Sequence, residues 1–446
     1  MSVTYDWKKT LAPEKPYNYE YHKTMMTEMK LTEKTDAGLV VLMDFKKALE
    51  KIEALDKITL HCPKIVFLSG LFGSGEKSGY PAIFEIVSEL KLPEHSSAQE
   101  SFNWFSMKAS EFNTKISVKI DMVSGYDDSS LIDAYYDKNL LIKDKHGNLI
   151  KIGGAYKINL LKEDEQQLLL RRIDKFIDNF NLKKTGVVLI ENFGYFKNDE
   201  ISLDEFSNVR SKVIKYFKKS GVDVVLDYLY YEAKNGGEKN DCNVGQIPAV
   251  MNLSQSLIDY MERPANLLCA VTVTHRFKEC ESSQMGKLFA MSSNLKDIFS
   301  LPDYKEKIFE EFCTKTLKYF LLNSLDRISA SVTSKDTVVN FTKNTATFLA
   351  EDRLTINGVT AKIGNEFVLP TFWYDHDTAV VYTEKGGRCD WNLSKILGFS
   401  SSQNIVLCEL TSEGLSAKKK FLSLKDGMLE LDLNPGEKRA YLISRM

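Results

Sequence analysis

The chain has 446 residues, and its 59 Lys and Arg nearly balance 61 Asp and Glu, giving a formal net charge of −2. A nucleic-acid-binding protein normally carries a basic excess on one face, so this balance argues against that class. Apolar residues make up 43% and charged residues 27%, which is the composition of a globular protein rather than a disordered or fibrous one. The length allows two or three domains, or one barrel of roughly 250 residues or more together with an accessory domain.

The sequence carries no recognisable targeting segment. Residues 1–20 contain Lys but no apolar core and no small-residue cleavage site. No apolar run reaches the roughly 20 residues that a membrane-spanning helix needs. The seven cysteines are scattered without a C-x-x-C pair, which indicates reduced thiols. We therefore expect a cytoplasmic protein with no membrane partner, or a secreted one if a leader has been removed.

Short β-branched runs alternate with amphipathic stretches over the first three hundred or so residues. Helices are predicted for residues 39–53, 97–112, 162–181 and 203–219. Strands are predicted for residues 64–69, 115–121, 187–191, 221–227 and 268–274. Such alternation implies parallel strands joined by right-handed crossovers. Doubly wound sheets share the pattern, but the number of β-α steps favours a (β/α)8 TIM-like barrel over residues 1–330.

The pattern changes after about residue 330. Short alternating strands are predicted within residues 332–339, 354–363, 379–383, 405–410 and 428–433. Turn signals such as Asn357-Gly358, Gly386-Gly387 and Asp426-Gly427 separate them. We predict that residues 331–446 form an antiparallel β-sandwich domain that follows the barrel.

Several common site motifs are missing. The glycine-rich run from Gly70 to Gly75 lacks the G-K-[ST] ending of a phosphate loop, which favours a flexible turn. The six histidines have no H-x-x-x-H spacing, so no metal site is predicted. No G-x-S-x-G motif is present, which disfavours an α/β-hydrolase. No cofactor is predicted.

Reactive residues of a barrel enzyme come from the C-terminal ends of its strands. The candidates at those positions are Ser69, Asp121, Glu191, Asp227 and His275-Arg276. Glu191 and Asp227 directly terminate apolar runs on successive strands. Paired carboxyls at a barrel mouth are what glycoside hydrolysis requires, one to protonate the leaving oxygen and one to attack or activate water. The alternative is that each acid is solvated or forms a salt bridge.

Several segments resemble the endo-α-N-acetylgalactosaminidases of glycoside hydrolase family 101, or the related family 129. The similarity runs in order over roughly residues 25–446 and is clearest in Gly386–Leu393, Glu409–Gly414 and Lys425–Leu433. These segments resemble the family's G-x-x-x-W-x-L, K-L-T-x-x-G and K-D-G-x-(I/V)-x-L-D-(L/A). In the barrel, Ser69–Gly79 resembles its G-x-x-x-E-G-H-D-S-G loop, and Lys119–Tyr126 its H-x-N-A-x-E-x-Y segment.

The resemblance implies a retaining enzyme that removes α-linked GalNAc from Ser or Thr of O-glycans. It places the nucleophile on Glu191 and the acid/base on Asp227. Both positions have exchanged residue type, since the family has Asp and then Glu there. Glu76-Lys77 stands where the family has His-Asp, and Lys119 and Asp121 replace its His and Asn.

The predicted partner is a carbohydrate or glycopeptide. Catalysis is assigned to Glu191 and Asp227, and the expected substrate contacts are Lys77, Asp121, Tyr126, Phe193, Tyr228, His275 and Arg276. The alternative function is a non-catalytic, carbohydrate-binding relative that uses the same cleft. A third hypothesis is a structural or assembly protein that uses the fold alone.

Overall fold

The computed structural model describes residues 17–82, 86–193, 203–229, 247–254, 268–275, 278–279, 290–291, 294–325, 327–332, 337–341, 345–349, 353–436 and 438–446. Within these ranges the first part of the chain forms an α/β barrel, and the second part forms antiparallel β-structure.

The barrel part alternates strands and helices. Its strands are β1 (Met25–Lys30), β2 (Thr32–Thr35), β3 (Gly38–Val41), β4 (Lys64–Ser69), β5 (Thr114–Asp121), β6 (Ser124–Gly125), β7 (Lys151–Ile152), β8 (Ala155–Lys157), β9 (Val187–Glu191), β10 (Asp223–Leu229), β11 (Ala249–Ser254), β12 (Cys269–His275) and β13 (Lys278–Glu279). Its helices are α1 (Phe45–Ile58), α2 (Ala98–Ala109), α3 (Ile132–Asp137), α4 (Leu160–Glu165), α5 (Leu169–Asn179), α6 (Leu182–Thr185), α7 (Leu203–Lys219), α8 (Tyr304–Glu311) and α9 (Leu317–Asn323).

Seven parallel strands form the wall of the barrel in the order β1-β4-β5-β9-β10-β11-β12. β4 is buried along its whole length, because helices cover its outer face while its inner face lines the barrel interior. The wall closes through the segment that precedes α8. Ala290 pairs in parallel with Ala270 of β12, and Leu295 donates its N–H to Thr27 Oγ1 of β1 at 2.9 Å. The chain therefore returns to its first strand, as a barrel requires.

The predicted helix at residues 39–53 is wrong at its start. Residues 39–41 belong to strand β3, and α1 begins at Phe45 because the Asp44 carboxylate caps it by accepting the Lys47 N–H at 2.8 Å. The predicted helix at 162–181 is likewise two helices, α4 and α5. Gln167 lies between them with φ of 59°, a left-handed conformation that an α-helix cannot contain.

The C-terminal part is almost entirely antiparallel. Its strands are β14 (Arg327–Val332), β15 (Thr337–Phe341), β16 (Thr345–Leu349), β17 (Arg353–Ile356), β18 (Val359–Ile363), β19 (Glu366–Pro370), β20 (Thr378–Thr383), β21 (Gly387–Asn392), β22 (Asn404–Thr411), β23 (Gly414–Ser423), β24 (Met428–Leu433) and β25 (Arg439–Arg445). One short helix, α10 (Leu393–Leu397), follows β21. The predicted strand at 332–339 spans parts of β14 and β15, and its residues 333–336 lie outside the described ranges.

Two layers face each other in this part. Ten strands form one sheet, in the order β14-β15-β16-β17-β18-β19-β20-β25-β22-β23, and β21 pairs with β24 in a separate layer. Val381 and Ile443 of the large sheet join Trp391 and Leu431 of the small layer in one apolar cluster. The predicted fold class, a TIM-like barrel followed by an antiparallel β domain, is confirmed.

Two further observations concern the described residues. None of their helices combines the length and the apolar character needed to cross a bilayer. Four of the cysteines, Cys62, Cys269, Cys313 and Cys408, have free thiols, and the first three are buried.

Candidate active site

The two proposed catalytic acids lie side by side at the C-terminal mouth of the barrel. Asp121 of β5 pairs in register with Glu191 of β9, and Ile190 pairs with Leu226 of β10. Asp227 is the next residue after Leu226, so it stands beside Glu191. In-register residues of parallel strands face the same side, and neighbouring strands are about 4.8 Å apart. The sequence thus folds two carboxyls onto adjacent positions of the inner wall.

A buried lysine stands at the centre of the site. Lys119 of β5 has a side chain that is only 8% exposed, and its Nζ is 3.3 Å from Glu191 Oε1. The same Nζ donates to Glu28 Oε2 of β1 at 3.0 Å and lies 3.9 Å from Glu76 Oε1. Burial opposes the charge on Lys119, but the carboxyls of Glu28, Glu191 and Asp227 outweigh it and raise the pKa of Lys119, so the ammonium stays charged.

Glu28 is itself fixed by the segment that closes the barrel. Asn294 Nδ2 donates to Glu28 Oε1 at 2.7 Å, and the Glu28 N–H donates to Asn294 Oδ1 at 3.0 Å. Lys296 Nζ forms a close ion pair with Glu76 and lies 3.9 Å from Glu28 Oε2. Lys30 Nζ completes this group at 3.3 Å from Glu76 Oε2. The wall beside Glu191 is therefore a network of alternating charges.

The Asp227 carboxyl is held in its protonated form. Its side chain is partly buried, and Oδ1 is fully enclosed without a hydrogen-bond partner among the described residues. Burial, followed by repulsion from Glu191, raises the pKa of Asp227 to about 8, while Lys119 and the N–H of Asn192 act in the opposite direction. Near neutral pH this group can donate a proton.

Glu191 has a different environment. Burial raises its pKa above the ordinary value, with repulsion from Asp121 adding to this effect, but the Lys119 ammonium opposes both by stabilising the carboxylate. Its side chain remains 18% exposed, so it can reach a ligand in the mouth. Neighbouring carboxyls whose environments differ in this way are suited to opposite roles, one as an acid and the other as a carboxylate.

Asn192 links two acidic side chains, those of Asp121 and Asp227, through an unusual backbone conformation. Its φ of 58° lies in the left-handed region, which Asn adopts more readily than most residues. In this conformation its N–H points at Asp227, while its Nδ2 donates to Asp121 Oδ2 at 2.9 Å. Glu191 is the residue directly before it. Asn192 thus holds the carboxyls of Asp121 and Asp227 in place at the end of β9.

The expected substrate contacts differ in how the structure places them. Asp121 is occupied, because its Oδ1 accepts the N–H groups of Val123 and Ser124 at 2.8 and 2.9 Å and its Oδ2 accepts from Asn192. Tyr126 lies close to the acids: burial and the charges of Asp121 and Glu191 raise its phenol pKa. Of the two, Tyr126 is the better placed for a ligand.

The two aromatic candidates next to the acids occupy different positions. Phe193 has no exposed surface and packs edge-on against Phe206 with ring centroids 6.1 Å apart, so its ring cannot stack on a sugar. Tyr228 follows Asp227 in β10, and successive strand residues point to opposite faces, which directs it away from the inner wall. The predicted substrate contact of Phe193 is therefore wrong, whereas that of Tyr228 stays a prediction.

The other candidates lie in the loop after β4 or at the ends of strands. Lys77 is exposed in the loop after β4, with a left-handed φ of 61°. His275 is the last residue of β12, and Arg276 lies outside the described residues. Ser69 ends β4, and its buried hydroxyl has no hydrogen-bond partner among the described residues.

Sequence reasoning did not identify Glu28, Asn192, Asn294 or Lys296 as parts of the site. A signal existed for Glu28, since a carboxylate inside the apolar run Met-Met-Thr-Glu-Met requires a buried partner. Asn294 and Lys296 could not be found this way, because only barrel closure brings residues 266 or more positions away against β1.

No family model and no curated protein matches this chain. Solved structures do show a similar fold. The α-N-acetylgalactosaminidase NagBb from Bifidobacterium bifidum in complex with GalNAc is 10% identical with a TM-score of 0.52, over 75% of this chain and 58% of that one. Its ligand-free form is 11% identical with a TM-score of 0.51, over 75% of this chain and 57% of that one. The chain thus spans less than two thirds of that enzyme, and the similarity establishes the shared fold.

Proposed function

We propose that this protein is a retaining glycoside hydrolase that cleaves an α-linked sugar, with Glu191 as nucleophile and Asp227 as acid/base. The observation that carries the proposal is the pair of adjacent carboxyls at the barrel mouth, in which Glu191 is paired with an ammonium, while burial beside Glu191 raises the pKa of Asp227 to about 8. Adjacent strands favour the separation of about 5–5.5 Å that a retaining pair uses.

The chemistry follows from these environments. A Glu191 carboxylate oxygen forms a bond to the anomeric carbon as the bond from that carbon to the glycosidic oxygen breaks. Asp227 gives its proton to the departing oxygen, so the aglycone leaves as a neutral alcohol. The ionised Asp227 then takes a proton from water, which hydrolyses the glycosyl-enzyme and restores both groups.

An α-linked GalNAc glycan or glycopeptide is the first substrate to test. Two lines of support are the family resemblance of the C-terminal segments and the fold shared with NagBb, an α-N-acetylgalactosaminidase. The wall that meets the sugar differs in chemistry from the resembled loop, since Glu76 and Lys296 form an ion pair there. A panel should therefore include nitrophenyl α-glycosides of GalNAc, galactose and glucose.

Two variants test the roles of the acids. Glu191→Gln should release no nitrophenol, because it removes the attacking carboxylate. Asp227→Asn should release one equivalent in a burst and then stop, because nitrophenol leaves without a proton while the second step still needs a base. Steady turnover by both variants at the wild-type rate would contradict the assignment.

The alternative function is a non-catalytic carbohydrate-binding protein. One observation favours it: both proposed catalytic positions have exchanged residue type relative to the resembled family, with Glu191 where it has Asp and Asp227 where it has Glu. Calorimetry with the free sugars, run beside the nitrophenyl panel, separates the two. Sugar binding without nitrophenol release would support the binding protein and contradict the enzyme.

A further inference from the structure

Lys119 is enclosed between two carboxylates on opposite sides. Glu28 of β1 lies 3.0 Å from its Nζ and Glu191 of β9 lies 3.3 Å from it. Both lysine and Glu28 are less than a tenth exposed, so water contributes little to stabilising their charges. If Lys119 turned away, the buried Glu28 carboxylate would lose its nearest cation and keep only the Lys296 ammonium at 3.9 Å, which is unfavourable.

The position of Glu28 is fixed independently of Lys119. Asn294 holds both the side-chain Oε1 and the backbone N–H of Glu28, at 2.7 and 3.0 Å. The chain of contacts therefore runs from the closing segment through β1 to Lys119, and from Lys119 to Glu191. Such a chain locates the ammonium relative to the barrel wall, and the ammonium in turn locates the Glu191 carboxylate.

We propose that Lys119 is a positioning residue: held by Glu28, it keeps Glu191 ionised and oriented for attack while the shared proton of the acid pair stays on Asp227. This inference rests on the proposed function and extends it by naming the group that assigns the two roles. Lys119 itself transfers no proton and forms no bond to the sugar.

The charge balance around Glu191 shows why one lysine has this effect. The titratable groups that face it or its partners come from every neighbouring element: Glu28 on β1, Glu76 and Tyr80 after β4, Lys119 and Asp121 on β5, Tyr126 after β5, Asp227 on β10, and Lys296 before α8. Lys296 is engaged by Glu76, so among these groups Lys119 is the cation in contact with Glu191. Its removal leaves Glu191 facing carboxylates.

The test is the pH dependence of kcat/KM in Lys119→Met and Lys119→Arg. An opposite charge within about 4–6 Å lowers a carboxyl pKa by one to three units. Lys119→Met should therefore move the acid limb of the profile upward by about one to three pH units. Lys119→Arg keeps the charge and should return the limb toward the wild-type position. Lys151→Met removes an exposed lysine paired with Asp127 and serves as the control, which should leave the acid limb where it is in the wild type.

A purely structural role for Lys119 would lower the amount of folded protein without moving the acid limb. If Glu191→Gln abolishes wild-type turnover but the limb in Lys119→Met is unmoved, the inference is refuted and the proposed function stands. If the Met variant does not fold, the double variant Glu28→Gln/Lys119→Met, which also removes the buried charge of Glu28, is measured instead.

A second readout does not depend on turnover. Infrared titration of the carboxyl C=O band, taken as the difference between each background and its Glu191→Gln counterpart, reports the ionisation of Glu191 directly. We expect the Glu191 band to titrate at higher pH in Lys119→Met than in the wild type. Titration of the Glu191 band at the same pH in both proteins would overturn the inference, whether or not a glycoside is hydrolysed. Absence of hydrolysis would count against the proposed function only.

Discussion

Replacing Asp227 by Asn should stabilise the protein while removing its proposed activity. The folded state holds a proton on Asp227 up to about pH 8, whereas an unfolded chain releases it near the ordinary value of 3.8. Between these values the folded state binds the extra proton, so the free energy of unfolding falls as the pH rises. Asn resembles the protonated carboxyl and cannot ionise, so the variant lacks this fall.

The magnitude follows from the size of the pKa difference. Each unit corresponds to about 1.36 kcal/mol, so the full shift to about 8 amounts to roughly 5 to 6 kcal/mol at pH 8 and above. The Asp227 side chain is only partly buried, and solvent screening reduces the effect to roughly half. We expect Asp227→Asn to gain about 2–3 kcal/mol over the wild type at pH 8, and close to nothing at pH 4.

Urea denaturation at several pH values between 4 and 8.5 measures this difference. Asp36→Asn is a matched control, because Asp36 is exposed in the turn between β2 and β3 and should show no pH-dependent gain. A gain for Asp227→Asn that is equal at pH 4 and pH 8, or a loss at pH 8, would refute the argument that the fold holds this carboxyl protonated.

Three further predictions follow from the same structure. The pH profile of kcat/KM should be bell-shaped. It should fall above about pH 8, where Asp227 loses its proton, and on the acid side, where Glu191 gains one at a pH above the ordinary Glu pKa of 4.5. A profile that is flat from pH 7 to 10 would contradict this. Asn192→Ala should lower the free energy of unfolding by about 2 kcal/mol, because it loses the hydrogen bond to Asp121 and strains the left-handed backbone. Asn192→Gly should lower it by about 1 kcal/mol, because Gly adopts this φ without strain and loses only the hydrogen bond. Equal losses would contradict the backbone argument. Gly70→Ala should lower the free energy of unfolding by about 2 kcal/mol or more, because φ is 72° and the new Cβ would lie 2.3 Å from the Thr32 carbonyl oxygen. Gly147→Ala, where the new Cβ meets open space, should lower it by only about 1 kcal/mol. Thermal denaturation of both variants measures the difference.

The alternation of strands and helices predicted the barrel because the buried runs at residues 64–69, 115–121 and 187–191 are local signals. The same signals predicted that Glu191 and Asp227 end adjacent strands: Glu191 does end β9, whereas β10 continues two residues beyond Asp227 to Leu229. The error at residues 39–53 arose because an apolar run preceding a helix has the same local pattern as the helix. Asp44 was the available indication of the true boundary.

The contacts that define the site could not be predicted from the sequence, for a different reason. Glu28, Lys119 and Asn294 meet only because the barrel closes, and no local pattern encodes that closure. Phe193 shows the opposite limit, because a neighbour of an acid in sequence need not share its surface. Phe193 follows Asn192 at the end of β9 but lies in the core.

The central claim is that Glu191 is the nucleophile, and trapping the covalent intermediate tests it most directly. A 5-fluoro-α-glycosyl fluoride of the sugar that the nitrophenyl panel identifies should label the protein once, because the fluorine slows hydrolysis of the glycosyl-enzyme. Peptide mass mapping should then find the added sugar on Glu191, with no label on Glu191→Gln. A label on Asp227, or stoichiometric labelling of Glu191→Gln, would contradict the account.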